Sequence, residues 1–313
     1  MKYCKFLFFL VVVGFLSCKG NAQPDNTKPM YGEVPKNDYY KKADEDFKKQ
    51  MLEQYGTADS AAKAVTDNAW IYFYHNDLKT AMKRFNQAWL LSPDFPDSYF
   101  GFAALMDMQN NISEAKRFYE IGLEKDSTKA RAKICYQRIA DCKEQLQNFQ
   151  GAIDACAKLV EISPNDAFAF KNMGYLQSQL GNFEDALTAY TKAIELDLTD
   201  AMTYNNRAYV YQTEKNYKDA IADYTKAIQL DSKDIGAYVN RGIALMAEND
   251  FAKAKKDFET CVRLDGGKSG ALRRILGQCE LSLKDTSGAC ADFKLAKELG
   301  DSQADSLSKQ NCK

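Results

Sequence analysis

Histidine is almost absent from this chain of 313 residues. The single imidazole, His75, excludes any site that needs two of them. An excess of one charge is also missing. Forty-two basic residues face 43 acidic ones, a formal net charge of −1. Bulk electrostatics therefore does not recruit nucleic acid or an anionic membrane surface. Helix breakers are scarce, with six prolines and 17 glycines, while Ala, Lys, Glu, Leu and Asp are plentiful and favour helix. Long apolar runs are missing with one exception. Residues 6–16 are apolar throughout if Gly14 is counted, well short of the roughly 20 residues that a membrane-crossing helix needs.

That run has the flanks of a secretory signal. Lys2 and Lys5 precede it and small residues follow it, the pattern of a removable export signal. The mature chain is thus expected outside the cytoplasm. Two cleavage points compete. Leu16-Ser17-Cys18 is similar to the lipobox of bacterial lipoproteins, although Phe15 and Leu16 depart from its usual residues. Cleavage there makes 1–18 the signal and Cys18 the lipid-bearing N-terminus. The chain would then be an outer-membrane-associated lipoprotein facing the periplasm, held by its lipid anchor rather than by a transmembrane helix. Cleavage after Ala22, behind Gly20-Asn21-Ala22, would instead leave a soluble periplasmic or secreted protein. Residues 19–38 hold Pro24, Pro29 and Pro35 among polar side chains and read as a flexible tether.

Beyond the tether the sequence repeats. The stretch 181–194 (GNFEDALTAYTKAI) returns as 215–228 (KNYKDAIADYTKAI), and Asn249-Asp250-Phe251 opens a third copy at the same interval. A constant period of about 34 residues, with two helical patterns in each turn of it, marks a stacked helical array. The period divides the chain into units 62–95, 96–129, 133–166, 167–200, 201–234, 235–268 and 270–303, with three extra residues at 130–132 and one at Ser269. Residues 39–61 read as the N-terminal capping helix segment, with the helix itself over Tyr39 to Tyr55. Residues 301–313 read as a short final helix, of which 304–313 cap the last unit.

Within each unit the residue types resemble the tetratricopeptide repeat (TPR). That family places an aromatic at position 4, small residues at 8, 20 and 27, aromatics at 11 and 24, and often Pro near 32. Unit 167–200 carries Phe170, Gly174, Ala186, Tyr190 and Ala193 there; unit 201–234 carries Tyr204, Ala208, Tyr211, Ala220, Tyr224 and Ala227. Tyr238, Gly242, Ala254 and Phe258 continue the series, with Cys261 at position 27. Earlier units keep Ala69, Tyr72, Ala81, Phe85 and Ala88, then Tyr99, Ala103, Ala115 and Tyr119. The resemblance implies an all-α TPR solenoid, a right-handed superhelix of about seven antiparallel helix pairs with a capping helix at each end. Small residues at 8 and 20 let the two helices of a pair approach closely, and turns such as Gly181-Asn182 and Asn249-Asp250 end the first helix.

Seven cysteines remain after Cys4 and Cys18. They contain no Cys-x₂-Cys pair and have no second histidine, so zinc is not expected. Residues equidistant from the turn of an antiparallel pair meet. Cys290 and Cys312 lie eleven residues either side of Asp301, so a disulfide between them is expected to pin the final helix. Cys279 competes for Cys290 about another turn, and Cys135 with Cys156 is a further plausible bridge. Cys261 reads equally well as a small buried hydrophobe.

No catalytic constellation or cofactor motif stands out. His75 falls in a loop. Gly266-Gly267-Lys268-Ser269 has the wrong spacing for a phosphate loop. An enzyme is therefore not expected. The family resemblance implies instead a concave partner groove lined by first-helix positions 2, 5, 9, 12 and 13. In this sequence those are Trp70, Phe73, Tyr74, Phe100 and Asp107 in the first half, and Phe168, Lys171, Tyr175, Asn205, Tyr209 and Gln212 in the middle, with Val239, Ile243 and Met246 beyond. Aromatics beside amides and a few charges suit an extended peptide or a partner helix. The family's clamp for chaperone tails does not carry over, because only Lys171 and Asn206 match while Tyr175, Gly236 and Asn240 do not. The expectation is a protein-interaction scaffold of the bacterial envelope. The alternative is a glycan- or peptidoglycan-associated binder that stacks sugars on the same aromatics.

Overall fold

The computed structural model describes residues 25–33, 36–126, 128, 129 and 131–312. Cys18 and the export signal lie outside the described residues. Among those residues are sixteen α-helices and no strand: α1 (Asp38–Tyr55), α2 (Ala58–Tyr74), α3 (Leu78–Leu91), α4 (Pro96–Met108), α5 (Ile112–Lys125), α6 (Ala132–Gln145), α7 (Phe149–Ile162), α8 (Ala167–Gln179), α9 (Phe183–Leu196), α10 (Ala201–Thr213), α11 (Tyr217–Leu230), α12 (Ile235–Ala247), α13 (Phe251–Leu264), α14 (Gly270–Ser282), α15 (Thr286–Glu298) and α16 (Ser302–Asn311). This is a helical TPR solenoid fold. Two compact units divide the chain, Met1–Ala155 and Cys156–Lys313. Among the described residues no helix is long and apolar enough to cross a membrane.

Local signals explain where the helices start and stop. Asp166, Asp200, Asp234 and Asp301 each accept a backbone N–H at the start of α8, α10, α12 and α16, satisfying donors that a helix start leaves open. Within each pair the turn is made by one left-handed residue at position 15. These residues are Asn76, Asn110, Gln147, Gly181, Lys215, Asn249 and Lys284, with φ between 57° and 79°. Only Gly181 adopts that conformation without a Cβ penalty.

Helix approach in the second unit is governed by one repeated contact. The ring at position 24 packs against position 8 of its own pair. A Cβ built on Gly174 would come within 2.7 Å of the Tyr190 ring; on Gly242, 2.6 Å from Phe258; on Gly277, 2.7 Å from Phe293. All three rings are fully buried, and removing such a ring costs about 3–5 kcal/mol. Neighbouring pairs then share a core. Ile194 packs with Tyr204, Ala227, Ile228 and Ala237, and Tyr238 covers the cluster.

Polar clamps set the lateral register of those pairs. Arg207 on α10 donates from Nε and Nη2 to both carboxylate oxygens of Asp223 on α11, at 2.7 and 2.9 Å, and from Nη1 to Thr191 on α9 at 3.0 Å. Arg241 repeats the arrangement one unit on, with Asp257 and Thr225. Paired hydrogen bonds of this kind are directional and exclude a slipped register. Arg273 continues the role on Asp292 at 2.7 Å.

The N-terminal end departs from the sequence reading in two ways. First, the capping helix ends at Tyr55 as read, but Gly56 turns left-handed at φ 81° and Thr57 caps a new helix within the residues assigned to the cap. The first helix of the first pair therefore begins at Ala58 rather than Ala62. Second, part of the stretch read as a free tether is seated on α3. Met30, Tyr31 and Gly32 form a left-handed turn, with φ of 50°, 56° and 72°. Asn86 of α3, fully buried, accepts from Tyr31 N–H at 3.2 Å and donates from Nδ2 to the Lys28 carbonyl at 2.8 Å. The same Nδ2 reaches Asn26 Oδ1 at 3.2 Å. Tyr31 is buried beside Trp89, with ring centroids 6.5 Å apart, and Lys36 Nζ stands 3.5 Å over the Tyr31 ring. The composition of 19–38 hides this, since the hook depends on one amide that lies far along the chain, beyond two intervening helices.

At the other end Cys290 of α15 and Cys312, which closes α16, form a disulfide with Cα atoms 5.7 Å apart. Cys135 and Cys279 are free, buried thiols. The competing Cys279 pairing and the Cys135 bridge are thus not formed. Cys279 Sγ donates to the Phe251 carbonyl at 3.4 Å, and Cys261 Sγ to the Ile235 carbonyl at 3.7 Å, so both serve as small core residues.

Asn86→Ala is expected to orphan the hook's backbone groups. It should destabilise the first unit by about 1–3 kcal/mol, and hydrogen exchange should show the Tyr31 amide losing its protection. In the last helix, the double substitution Cys290→Ser/Cys312→Ser removes a cross-link over 22 residues of sequence separation. Its expected cost is about 3 kcal/mol. Exchange of α16 amides ahead of α14 in the double variant, but not in the parent, is the measurement.

Candidate functional site

Within the first unit, five residues from the sequence reading come together. Trp70, Phe73 and Tyr74 from the end of α2 and Phe100 and Asp107 from α4 line one cavity of about 560 Å³. Helical spacing explains the first three. Trp70, Phe73 and Tyr74 sit at i, i+3 and i+4, so they share a face. Their rings form a cluster: Trp70 to Phe73 at 5.3 Å edge-on, Trp70 to Tyr74 at 6.0 Å stacked, and Trp70 to Phe85 of α3 at 5.1 Å edge-on.

The five do not play one role. Tyr74 is 78% exposed and stands at the mouth. Phe100 is buried, and a Cβ on Gly122 would meet its ring at 2.4 Å, so it is a wall packed against α5. Trp70 Nε1 is buried and has no hydrogen-bond partner among the described residues.

Several lining residues were missed by reading the sequence. Met108 and Ile134 belong to the cavity and are 58% and 60% exposed. Both occupy groove positions of their repeats, 13 and 2, so the register could have found them. Arg138 of α6 also lines the cavity, and so does Arg131, just before α6. Arg131 falls among the three residues that interrupt the period, and a strict repeat alignment discards it. Its Nη2 donates to Asp97 at 3.1 Å, and its guanidinium carbon lies 5.9 Å from the Trp70 ring centre and 5.6 Å from that of Phe100.

Burial shifts two titratable groups that line this cavity. Burial pushes the Cys135 thiol up to about 12, with nearby Arg131 opposing it, so it stays a thiol at neutral pH. Burial also raises the Tyr119 hydroxyl far above the usual phenol range, with the Asp107 charge adding to the effect.

The second unit holds the other sequence-derived residues along the first helices of its pairs. Phe168, Tyr175 and Tyr209 are exposed, as are Met202 and Ile243. Lys171 does not reach freely outward: it pairs with Asp200 at 2.9 Å and lies 5.3 Å from the Phe168 ring centre. Asn205 and Gln212 are half-buried, and their side-chain carbonyl oxygens have no hydrogen-bond partner among the described residues. These residues form a row of separate contacts along α8, α10 and α12.

Comparison with known proteins agrees with this architecture. Tetratricopeptide repeat models match residues 134–166, 167–200, 201–234 and 239–304. The C-terminal part of a TPR repeat-containing protein from Cytophaga hutchinsonii is similar in structure, with a TM-score of 0.69 at 17% identity over 79% of this chain and 99% of that one. A tetratricopeptide repeat protein from Parabacteroides merdae gives 0.56 at 20% identity, over 80% and 99%. MamA residues 41 to the end, from Desulfovibrio magneticus, gives 0.51 at 22% identity, over 56% and 97%. At these identities the likeness concerns the fold. No curated protein matches this chain. The matched repeats together span more than half of the residues, and this chain is a member of the tetratricopeptide-repeat family.

Proposed function

We propose that this chain is a non-catalytic interaction scaffold of the bacterial envelope that binds a protein or peptide partner at the aromatic cavity of its first unit. One observation carries the reading. Side chains from α2, α4 and α6 converge on a single cavity whose mouth keeps Tyr74, Met108 and Ile134 exposed. Large apolar side chains held open to water around a concave site are the usual make-up of a partner anchor site. The exposed row of Phe168, Tyr175, Met202, Tyr209 and Ile243 on α8, α10 and α12 extends the reading to the second unit.

Selection of phage-displayed random peptides against the full chain, with a glycan array in parallel, tests this. Peptides should be enriched on the parent and lost on Tyr74→Ala and Ile134→Ala, whose exposed side chains leave the fold intact. Enrichment of glycans with no peptide would transfer the site to the sugar-stacking reading.

The envelope setting is proposed from sequence alone, on Lys2, Lys5, the apolar run and Leu16-Ser17-Cys18. An alkyne-tagged palmitate fed to cells expressing the chain should label it, and Cys18→Ser should abolish the label. Labelling that persists in Cys18→Ser, or none in the parent, would remove the lipid anchor and leave cleavage after Ala22.

A further inference from the structure

Charge on the cavity lining narrows the partner. Two guanidiniums, Arg131 and Arg138, and one carboxylate, Asp107, line it, and Arg131 is paired with Asp97 at 3.1 Å. Arg131 already stands against the rings of Trp70 and Phe100 at 5.9 and 5.6 Å, so the attraction of those rings for a cation is met from within the chain. A cation brought by a partner would meet Arg131 at close range. Arg138 is placed differently. Its side chain is 53% exposed and its nearest carboxylate, Asp141, is 3.8 Å away. A guanidinium carries five N–H donors in a planar fork, and this long contact leaves most of them available.

We infer that the cavity takes a peptide segment in which an apolar side chain sits next to an Asp or Glu, the apolar group entering between Tyr74, Met108 and Ile134 and the carboxylate landing on Arg138. This rests on the peptide-binding reading above. Apolar contact supplies the anchor, and the charge pair sets which segments are accepted.

The test starts from the peptides that the selection enriches. An acidic residue adjacent to an apolar one should recur in them. One such peptide, labelled with fluorescein, is titrated with the full chain and followed by fluorescence anisotropy. Affinity should fall about fivefold between 50 and 500 mM NaCl, as expected for a charge pair at a partly exposed site. Arg138→Gln should weaken binding about tenfold and flatten the salt dependence. Replacing the peptide's Glu by Gln should weaken the parent equally and the Arg138→Gln variant hardly at all, the non-additivity expected of a direct pair. An unchanged thermal melt for Arg138→Gln checks the fold. Enriched peptides rich in Lys or Arg, or binding indifferent to both salt and Arg138→Gln, would overturn the inference while leaving the peptide-binding site in place. If no peptide is enriched at all, the inference and the reading beneath it fall together.

Discussion

An aromatic ring pressed on a backbone with no side chain is the contact on which the second unit depends. Gly174 under Tyr190, Gly242 under Phe258 and Gly277 under Phe293 let paired helices approach until ring meets main chain. Ala208 under Tyr224 shows that the position tolerates one methyl group. Anything larger would push the axes apart and open the interior, where packing leaves little slack. The shared clusters between neighbouring pairs, such as Tyr204 with Ile194 and Ile228, form only at that spacing.

Close approach fixes distance but not register. A ring on a flat surface can slide along the helix, and small residues at regular spacing offer more than one place to rest. Arg207 and Arg241 close that freedom. Each grips a carboxylate in its own pair with two donors and a threonine of the preceding pair with a third. The carboxylates of Asp223 and Asp257 are almost wholly buried. Buried ion pairs often add little net stability because desolvation opposes them. Their value here lies in geometry, since a slip would strand buried charge.

Much of this was legible in the sequence, for physical reasons. Small residues and aromatics recurring once in every unit could be read because each repeat solves the same packing problem with the same side chains. The Cys290–Cys312 bond could be read because antiparallel helices bring equidistant residues together. Other features could not be read in this way. Arg207, Asp223 and Thr191 lie on three helices and look like ordinary surface residues when taken singly. Arg131 sits where the period breaks. Asn86 resembles any polar residue on a helix until the backbone of residues 26–31 arrives to use it. The register brought Trp70, Phe73, Tyr74 and Phe100 to one cavity, but separating the wall, Phe100, from the exposed Tyr74 required knowing what packs behind each ring.

The buried thiols have a practical consequence. Cys135, Cys142, Cys261 and Cys279 sit in α6, α13 and α14, and burial holds each of them far from thiolate. An alkylating reagent can reach one only when its own helices part. The rate at which each cysteine is modified is then a local clock, timing how often that stretch of the array opens. The chain thus carries built-in reporters of breathing at several places along its length, and reading them requires no added label.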